Sequence, residues 1–370
     1  MMRRSVADVA RTVAVLVMAG RLGRVVLARP RVERTATSDV PAPPCTVVVP
    51  ARDEEERIGP LLDALRRVRG VAEVIVVDDR SSDHTAALAE GSGATVVHGS
   101  DPPIGWAGKV WALFQGVERA STEWVMMLDA DVEPDPDLPS LLVARAVEDR
   151  LDLVSVAGRA DVPPPARWLH AAMVHHLVCR FGPPGAGRRL ANGQCMVARR
   201  EDLLAGLTSV RHHVVEDVAL ARHLASGGAR VDFLDATDLL VVRPALTFGG
   251  LWAGWGRSLG LRGVERPTRQ AVELSLIALA LVVPPIRLLR GRADVVDGVA
   301  IALRAGSLVG TRRAHVDGGV SYWSSPLADP VALAATLYGL LRPQPVWKGR
   351  RPPVRSGAVA DARRPTPSRT

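Results

Sequence analysis

Three short apolar runs in the sequence each end in charged residues. They are Val47–Val49, Val74–Val77 and Trp124–Leu128, followed in turn by Pro50-Ala51-Arg52-Asp53-Glu54, Asp78-Asp79 and Asp129-Ala130-Asp131. A continuous apolar run of this length is typical of a strand buried on both faces of a parallel sheet. Between the runs, apolar residues recur at helical spacing, as at positions 58, 61, 62 and 65. Alternating strands and helices predict an α/β domain with a mainly parallel sheet flanked by helices.

The acidic strand ends predict a polar site at one edge of that sheet, because ligands bind beyond the carboxyl ends of parallel strands. Side chains alternate in direction along an extended segment, so Asp129 and Asp131 are expected to point to the same side. Mg²⁺ and Mn²⁺ prefer one or two carboxylates together with substrate phosphates. The pattern therefore indicates a metal diphosphate ligand, although a lone Asp-Xaa-Asp more often caps a helix or solvates a turn.

The composition bounds the class of protein. A chain of 370 residues with 47% hydrophobic residues can bury a large core. The net charge of +8 comes from arginines clustered near both ends, which favours anionic lipid over nucleic acid as a partner. Three scattered cysteines are too few for a disulfide framework or a zinc site, so we expect a reducing compartment.

The distribution of charge, proline and apolar residues divides the chain into five parts. They are a basic amphipathic helix or weak anchor (1–34), a linker (35–45), the catalytic domain (46–246), an apolar helical membrane-associated region (247–349) and a basic disordered tail (350–370). A secretory signal is not favoured, since arginines resume directly after the first apolar stretch without a convincing cleavage site.

The helical region contains three apolar stretches, at 274–286, 295–310 and 331–341. Each is shorter than the roughly 20 apolar residues that a single-pass helix needs. We favour membrane-inserted or re-entrant helices over a soluble helical extension, because the stretches lie among aromatic and basic residues.

Several motifs in a fixed order resemble family 2 glycosyltransferases of the GT-A (Rossmann-like) fold, especially the hopene-associated and carotenoid-acid branch. They are VVVPARDEE (47–55), VIVVDDRSSDHT (74–85), IGWAGKVWAL (104–113), LDAD (128–131), ANGQCMVARR (191–200), VVEDVALARHL (214–224) and VWKGR (346–350). The resemblance covers about residues 46–350. A Gln-Xaa-Xaa-Arg-Trp motif of polymer-forming members is missing, which makes processive synthesis doubtful.

The resemblance implies a role for each matching residue. Donor-binding residues would be Pro50, Asp53, Glu54, Asp78, Asp79, Asp129 and Asp131, the last two holding Mg²⁺ or Mn²⁺. Asp217 would be the general base, with Glu216 beside it. Asn192, Gly193 and Gln194 would line the donor sugar or the acceptor.

Three further residues are candidate contacts of the diphosphate, and two of them keep a second interpretation. Lys109 is either a phosphate contact or a surface lysine at a helix start. Trp255 and Arg257 would close over the diphosphate. Alternatively, Trp255 anchors the chain at a membrane interface.

These features together predict an inverting, metal-dependent glycosyltransferase. It would move one sugar from a nucleotide-diphosphate sugar, with UDP preferred, to a lipid-like acceptor at the cytoplasmic face of the cell membrane. The alternatives are a nucleotidyltransferase with a similar sheet and acidic site, or a non-catalytic membrane scaffold that retains the fold.

Overall fold

The computed structural model describes residues 5–27, 31–34, 42–182, 190–244 and 247–341. Its strands are β1 (Cys45–Ala51), β2 (Val71–Asp78), β3 (Thr95–His98), β4 (Trp124–Leu128), β5 (Val132–Pro134), β6 (Leu153–Ala157), β7 (Arg159–Ala160), β8 (Cys195–Arg199), β9 (Val231–Asp235) and β10 (Leu240–Val242). The central sheet has seven strands in the order β3-β2-β1-β4-β8-β6-β9, and a second sheet has the order β5-β10-β7. The predicted α/β fold class is confirmed.

Helices cover both faces of the central sheet and continue beyond it. They are α1 (Val6–Leu27), α2 (Ile58–Leu65), α3 (Thr85–Gly91), α4 (Gly108–Arg119), α5 (Leu138–Glu148), α6 (Pro164–Phe181), α7 (Arg200–Ser209), α8 (Glu216–Ser226), α9 (Phe248–Gly260), α10 (Pro267–Ile277), α11 (Val283–Leu289), α12 (Val295–Thr311), α13 (Gly319–Trp323) and α14 (Asp329–Leu341). One hydrophobic core lies between the sheet and α2 and α5, and another lies between the sheet and α4, α7 and α8.

Strand β8 runs antiparallel to both of its neighbours, β4 and β6, while the other pairs of the central sheet are parallel. Cys195, the first residue of β8, lies opposite Leu128, the last residue of β4. The reversal therefore places the turn before β8 at the same edge as the acidic end of β4.

The helical region forms around α6, which packs against α1, α9 and α14. Helices α9 and α14 approach closely through glycine: a Cβ on Gly339 would lie 2.2 Å from the carbonyl oxygen of Gly256. Close contacts between small residues are typical of helices that associate in membranes.

The expectation that no apolar stretch is long enough to span a membrane is wrong for one of them. Helices α10 and α11 are joined by a wider turn at Ala278–Val282 into one continuous helix of 23 residues, Pro267–Leu289. Among the described residues, one helix is long and apolar enough to cross a bilayer, and it is this one. Length and composition alone are weak support for a span. The predicted basic tail (350–370) and most of the predicted linker lie outside the described residues.

Candidate active site

A cavity of about 630 Å³ opens at the carboxyl ends of β1 and β4 and extends between α6 and α9. That volume is within the range of small-molecule sites in proteins. Its sheet end is polar and is lined by Glu54, Lys109, Asp129, Asp131, Glu216 and Asp217, and its helical end is mainly apolar. One space thus joins two chemically different surfaces.

The two aspartates after β4 both line the polar end of the cavity. The backbone N–H of Asp129 donates to the carbonyl of Gln194 at 3.1 Å, and the backbone N–H of Arg243 donates to the carbonyl of Asp131 at 2.7 Å. These bonds hold the Asp-Ala-Asp segment between the central sheet and the second sheet. Burial raises the pKa of Asp131 to about 7, and the nearby charge of Asp129 adds to that effect.

Lys109 lies in the first turn of α4 and bridges two carboxylates. Its Nζ is 2.7 Å from Oδ1 of Asp129 and 2.8 Å from Oε1 of Glu216. Burial opposes the charge of Lys109, but the two carboxylates outweigh burial and raise its pKa. Of the two interpretations of Lys109, a surface lysine does not fit these contacts, and a phosphate contact stays a prediction. Burial raises the pKa of Asp129, and the lysine charge opposes that shift.

Asp217, in the first turn of α8, lies beside the turn that precedes β8. Its Oδ2 accepts a hydrogen bond from the backbone N–H of Gly193 at 2.8 Å, and its Oδ1 accepts one from Val218 at 2.8 Å. Burial, followed by the charge of Glu216, raises the pKa of Asp217 to about 6. A carboxylate with a pKa near neutrality is suited to accept a proton during catalysis.

The turn before β8 is fixed by its own side chains. The amide of Asn192 donates to Oε1 of Gln194 at 2.7 Å, and the hydroxyl of Ser155 accepts the backbone N–H of Asn192 at 2.7 Å. Gly193 is close to the charged groups: a Cβ there would lie 3.2 Å from Nζ of Lys109. The sequence-predicted trio of 192, 193 and 194 therefore lines the cavity together with Asp217.

The predicted residues of the first two strand ends separate into two groups. Pro50 and Glu54 line the cavity, whereas Asp53, Asp78 and Asp79 do not. Oδ1 of Asp53 accepts the backbone N–H and the hydroxyl of the serine at position 82, at 2.8 and 3.1 Å, and so ties the loop after β1 to the loop after β2.

Asp78 and Asp79 lie at the carboxyl end of β2 and are buried. Oδ1 of Asp78 accepts the backbone N–H of Ser81 at 3.2 Å, and Oδ2 of Asp79 is 3.7 Å from the guanidinium of Arg52. They adjoin the site without lining the cavity, and their role in donor binding stays a prediction.

Helix α9 brings Trp255 and Arg257 to the cavity. The Trp255 ring meets the ring of His170 from α6 edge-on, with centroids 5.3 Å apart. Arg257 interacts electrostatically with Asp129. The tryptophan therefore lies in the site, and the membrane-anchor interpretation of it is not supported.

No sequence motif singles out three other residues that line the cavity, Arg57, His170 and Arg313. Arg57 forms an ion pair with Glu54 and interacts with Asp131. The spacing of three residues between Glu54 and Arg57, in the turn just before α2, is a signal that could have been read for the first of them. The other two reach the site only through packing of α6 and the end of α12.

The polar end fits a divalent cation. Oδ1 of Asp131 is buried and has no hydrogen-bond partner among the described residues. Carboxylates also outnumber cations among the lining residues. No group of three or more histidine, cysteine, aspartate or glutamate side chains that could hold a metal is found in the described part of the chain. Two aspartates completed by substrate phosphates are the arrangement that Mg²⁺ and Mn²⁺ commonly use.

Comparisons with known proteins agree with this geometry. The family model described as glycosyl transferase family 2 matches residues 46–194. The curated 4,4'-diaponeurosporenoate glycosyltransferase of Staphylococcus aureus (strain N315) is 28% identical over 289 residues, which cover 71% of this chain and 73% of that protein.

Among solved structures, a mannosyltransferase from Pyrobaculum calidifontis in complex with GDP-Man and Mn²⁺ has a TM-score of 0.53 at 20% identity. The match covers 90% of this chain and 97% of that one. At this identity the likeness shows the fold alone. The chain therefore has the GT-A fold.

The chain is similar to glycosyl transferase family 2 over residues 46–194, and to the S. aureus enzyme over a longer stretch. This similarity favours the glycosyltransferase hypothesis over the nucleotidyltransferase alternative.

Proposed function

We propose that the protein is an inverting, metal-dependent glycosyltransferase that transfers one sugar from a nucleotide-diphosphate sugar to a lipid-like acceptor. The observation that carries this proposal is the single cavity with a carboxylate-rich end at the sheet and an apolar end between α6 and α9. A charged donor can bind at the polar end of this cavity while an apolar acceptor binds at its apolar end.

The residues at the polar end have separate roles in this reaction. Asp129 and Asp131 would hold Mg²⁺ or Mn²⁺, which when bound neutralises the charge that builds on the leaving diphosphate. Lys109 and Arg257 place positive charge beside Asp129 and would bind the diphosphate oxygens. Glu216 keeps the lysine ammonium in position.

Asp217 would act as the general base. Its carboxylate is oriented by the backbone N–H of Gly193 and by that of Val218, and it lines the same cavity as the metal-binding pair. Taking the proton of an attacking hydroxyl contributes roughly 10²- to 10⁴-fold to the rate. Attack in a single displacement, from the face opposite the diphosphate, inverts the anomeric carbon.

The acceptor is proposed from the helical end of the cavity. That end is lined by Val174, Leu177, Val178, Leu251, Trp255 and Leu261. The S. aureus relative is named for a carotenoid carboxylate, 4,4'-diaponeurosporenoate. We propose a long apolar molecule that carries a terminal hydroxyl or carboxyl group as the acceptor.

The donor and the location complete the proposal. A UDP-sugar is preferred from the family resemblance, and GDP-sugars belong in the same test because the P. calidifontis enzyme was solved with GDP-Man. We place the protein at the cell membrane with its catalytic domain in the cytoplasm. The apolar helix Pro267–Leu289 supports a location at the membrane.

Calorimetric titration of the purified full chain with a panel of UDP- and GDP-sugars, with and without Mn²⁺, tests the proposal. We expect one donor to bind only with the metal, and Asp131→Asn to abolish that binding. The matched control is Asp149→Asn, because Asp149 pairs with Arg145 on α5 and does not line the cavity. Binding that is independent of metal, or that survives in Asp131→Asn, would refute the metal role. Undetectable binding of every donor would support the non-catalytic scaffold.

A further inference from the structure

Helix α12 has its charged residues inside the protein and its apolar residues outside. Asp297 and Arg304, the two charged residues between Val295 and Thr311, are 0% and 5% exposed. On the opposite side, Val295 and Val309 are 82% and 71% exposed. A surface helix of a water-soluble protein shows the reverse distribution, with its apolar stripe facing the core.

Helix α1 has the same inverted polarity over most of its length, and Arg24 near its end is exposed. Arg11 is only 3% exposed, and Arg21 is also largely buried. The outward side carries a stripe of apolar residues at helical spacing: Val6, Val9, Val13 and Leu16, of which Leu16 is 65% exposed. Hydropathy alone does not single out this helix, because the arginines lower its average.

The buried charges of α1 and α12 have ion-pair partners on neighbouring helices, and Arg304 pairs with Asp329 at the start of α14. Arg11 donates to Oδ1 of Asp294 at 2.9 Å and also pairs with Asp297, so the start of α1 is fixed to the start of α12. Nearer the catalytic domain, Arg21 donates to Oε1 of Glu273 on α10 at 2.8 Å. Charged residues inside membranes are found in this arrangement, turned towards the bundle interior and paired with one another.

Between the two ion-pair clusters, the three helices pack through apolar residues, three of which are alanines. The buried set comprises Ala14, Val15, Met18, Ile277, Ala280, Leu281 and Ala300, together with Cys179 of α6. Small residues at helix contacts are characteristic of membrane bundles, where close packing replaces the hydrophobic effect as the force that joins helices.

We propose that α1, the continuous helix Pro267–Leu289 and α12 form a bundle that lies in the lipid bilayer, with the outward apolar side chains facing acyl chains. The three helices have 22, 23 and 17 residues, lengths within the range of about 17 to 25 residues for membrane-spanning helices. The inference rests on the membrane location proposed above, but not on the reaction. It replaces the weak interfacial anchor expected for residues 1–34 with an integral helix.

The catalytic domain provides an internal comparison. Its helices expose few large apolar residues, such as Leu88 on α3 and Val147 at the end of α5. The inverted polarity is therefore a property of one part of the chain and not of the whole surface. Lipid covers such a face without requiring a matching partner, and the buried ion pairs need no water.

The bundle has a defined direction. The end of α1 and the start of α10 adjoin the catalytic domain: Val32, after α1, donates its N–H to Asp235 of β9 at 3.0 Å, and Gln270 donates to the carbonyl of Gly260 at 2.8 Å. The turn between α11 and α12, which contains Gly291, is at the opposite end. If the helices span the bilayer, this turn and the catalytic domain lie on different sides.

Cysteine labelling of the otherwise native full chain tests the direction. The native cysteines are buried, so they give little background with a membrane-impermeant maleimide. We expect Leu88→Cys to be labelled in inside-out vesicles and Gly291→Cys to be labelled in intact spheroplasts. Labelling of both positions from the same side would overturn the proposal.

Charge substitution on the outward faces tests the contact with lipid. We expect Leu16→Asp and Ala302→Asp, near the centres of α1 and α12, to lower the amount of carbonate-resistant membrane-bound protein at least tenfold. The control Leu88→Asp changes an exposed leucine of the catalytic domain and should leave membrane yield unchanged.

Full membrane yield of both bundle variants would refute burial of these faces in lipid. A detergent-free soluble dimer that buries residue 16 would also overturn the proposal, since a second copy would then cover the face. Donor binding is measured separately by calorimetry. A failure of the bundle proposal can therefore be distinguished from a failure of the proposed reaction.

Discussion

The substitution Asp217→Asn is expected to make the protein more stable while it removes activity. The carboxylate of Asp217 is costly to the folded state because burial and the adjacent Glu216 raise its pKa from 3.8 to about 6. A raised carboxyl pKa contributes stability that is present below the unfolded-state pKa and is lost as pH rises through the folded-state pKa. At pH 8 the ionised group therefore opposes folding, and a neutral amide would remove that penalty.

The magnitude follows from the size of the shift. A displacement from 3.8 to about 6 corresponds to about 3 kcal/mol at pH 8. Asp217 is partly exposed, so we expect about 2 kcal/mol to be observed. At pH 5 the difference falls to about half, because the native-state carboxyl is then mostly protonated. The hydrogen bonds from Gly193 and Val218 oppose the shift, and an asparagine oxygen can keep one of them.

Thermal unfolding of both proteins in the same detergent at pH 8 and pH 5 measures this difference. We expect the variant to melt a few degrees above the parent at pH 8, with a smaller gap at pH 5. Glu216→Gln is the matched control of opposite sign. Glu216 is 5% exposed and pairs with Lys109, so its loss should destabilise the protein by about 2 kcal/mol. A variant at 217 that melts at or below the parent at pH 8, or a gap that does not change with pH, would refute the electrostatic reasoning.

The same substitution has a kinetic consequence. If Asp217 is the base for a hydroxyl acceptor, Asp217→Asn should lower kcat by roughly 10²- to 10⁴-fold. In the parent enzyme, kcat/KM should fall about tenfold per pH unit below the pKa of about 6. A pH profile that is flat from 7 to 5 would show that another group accepts the proton.

Two further substitutions test the geometry of the site and of the helical region. Gly193→Ala would place a Cβ 3.2 Å from Nζ of Lys109, and we expect kcat/KM to fall by about tenfold or more. The control Gly91→Ala should have no effect, because a Cβ there would meet open space. Arg304→Leu would remove the bidentate partner that the buried carboxylate of Asp329 has at 2.8 and 3.1 Å. Melting measurements should show a loss of stability of about 3 to 5 kcal/mol. The double variant with Asp329→Leu should largely restore that stability.

The fold and the acidic edge could be predicted because they depend on local patterns. Continuous apolar runs define β1, β2 and β4, and the chain must place their carboxyl ends at one edge of a parallel sheet. The Asp-Ala-Asp segment lines the cavity for that reason.

Other parts of the site depend on long-range packing, which the sequence does not display. The bridge from Lys109 to Glu216 joins the starts of two helices that are about a hundred residues apart in the chain, so no local pattern indicates it. Strand β8 is apolar like its neighbours, and nothing in its residues shows that it runs antiparallel. Its direction alone decides that the turn at 192–194 reaches the acidic edge.

The inverted polarity of α1 and α12 could not be predicted from the sequence for a related reason. The charges of α1 and α12 interrupt the apolar runs and make each helix resemble an amphipathic surface helix. The contact between Arg11 and Asp297, which only the structure reveals, shows that charges of the two helices neutralise one another inside the bundle. Hydropathy scales assign a cost to each charge separately, so they undervalue helices whose charges are paired.

The end of α12 connects the two inferences about this protein. Val309 faces outward, whereas Gly310, Thr311 and Arg313 line the cavity. A bundle in the bilayer would thus place the apolar end of the cavity next to the lipid, within one turn of the same helix. An apolar acceptor could then enter from the membrane beside α12 while the nucleotide sugar enters from water at the sheet edge. Under this arrangement Arg313, at the junction, is the positive charge positioned to attract a carboxyl acceptor group before it reaches Asp217.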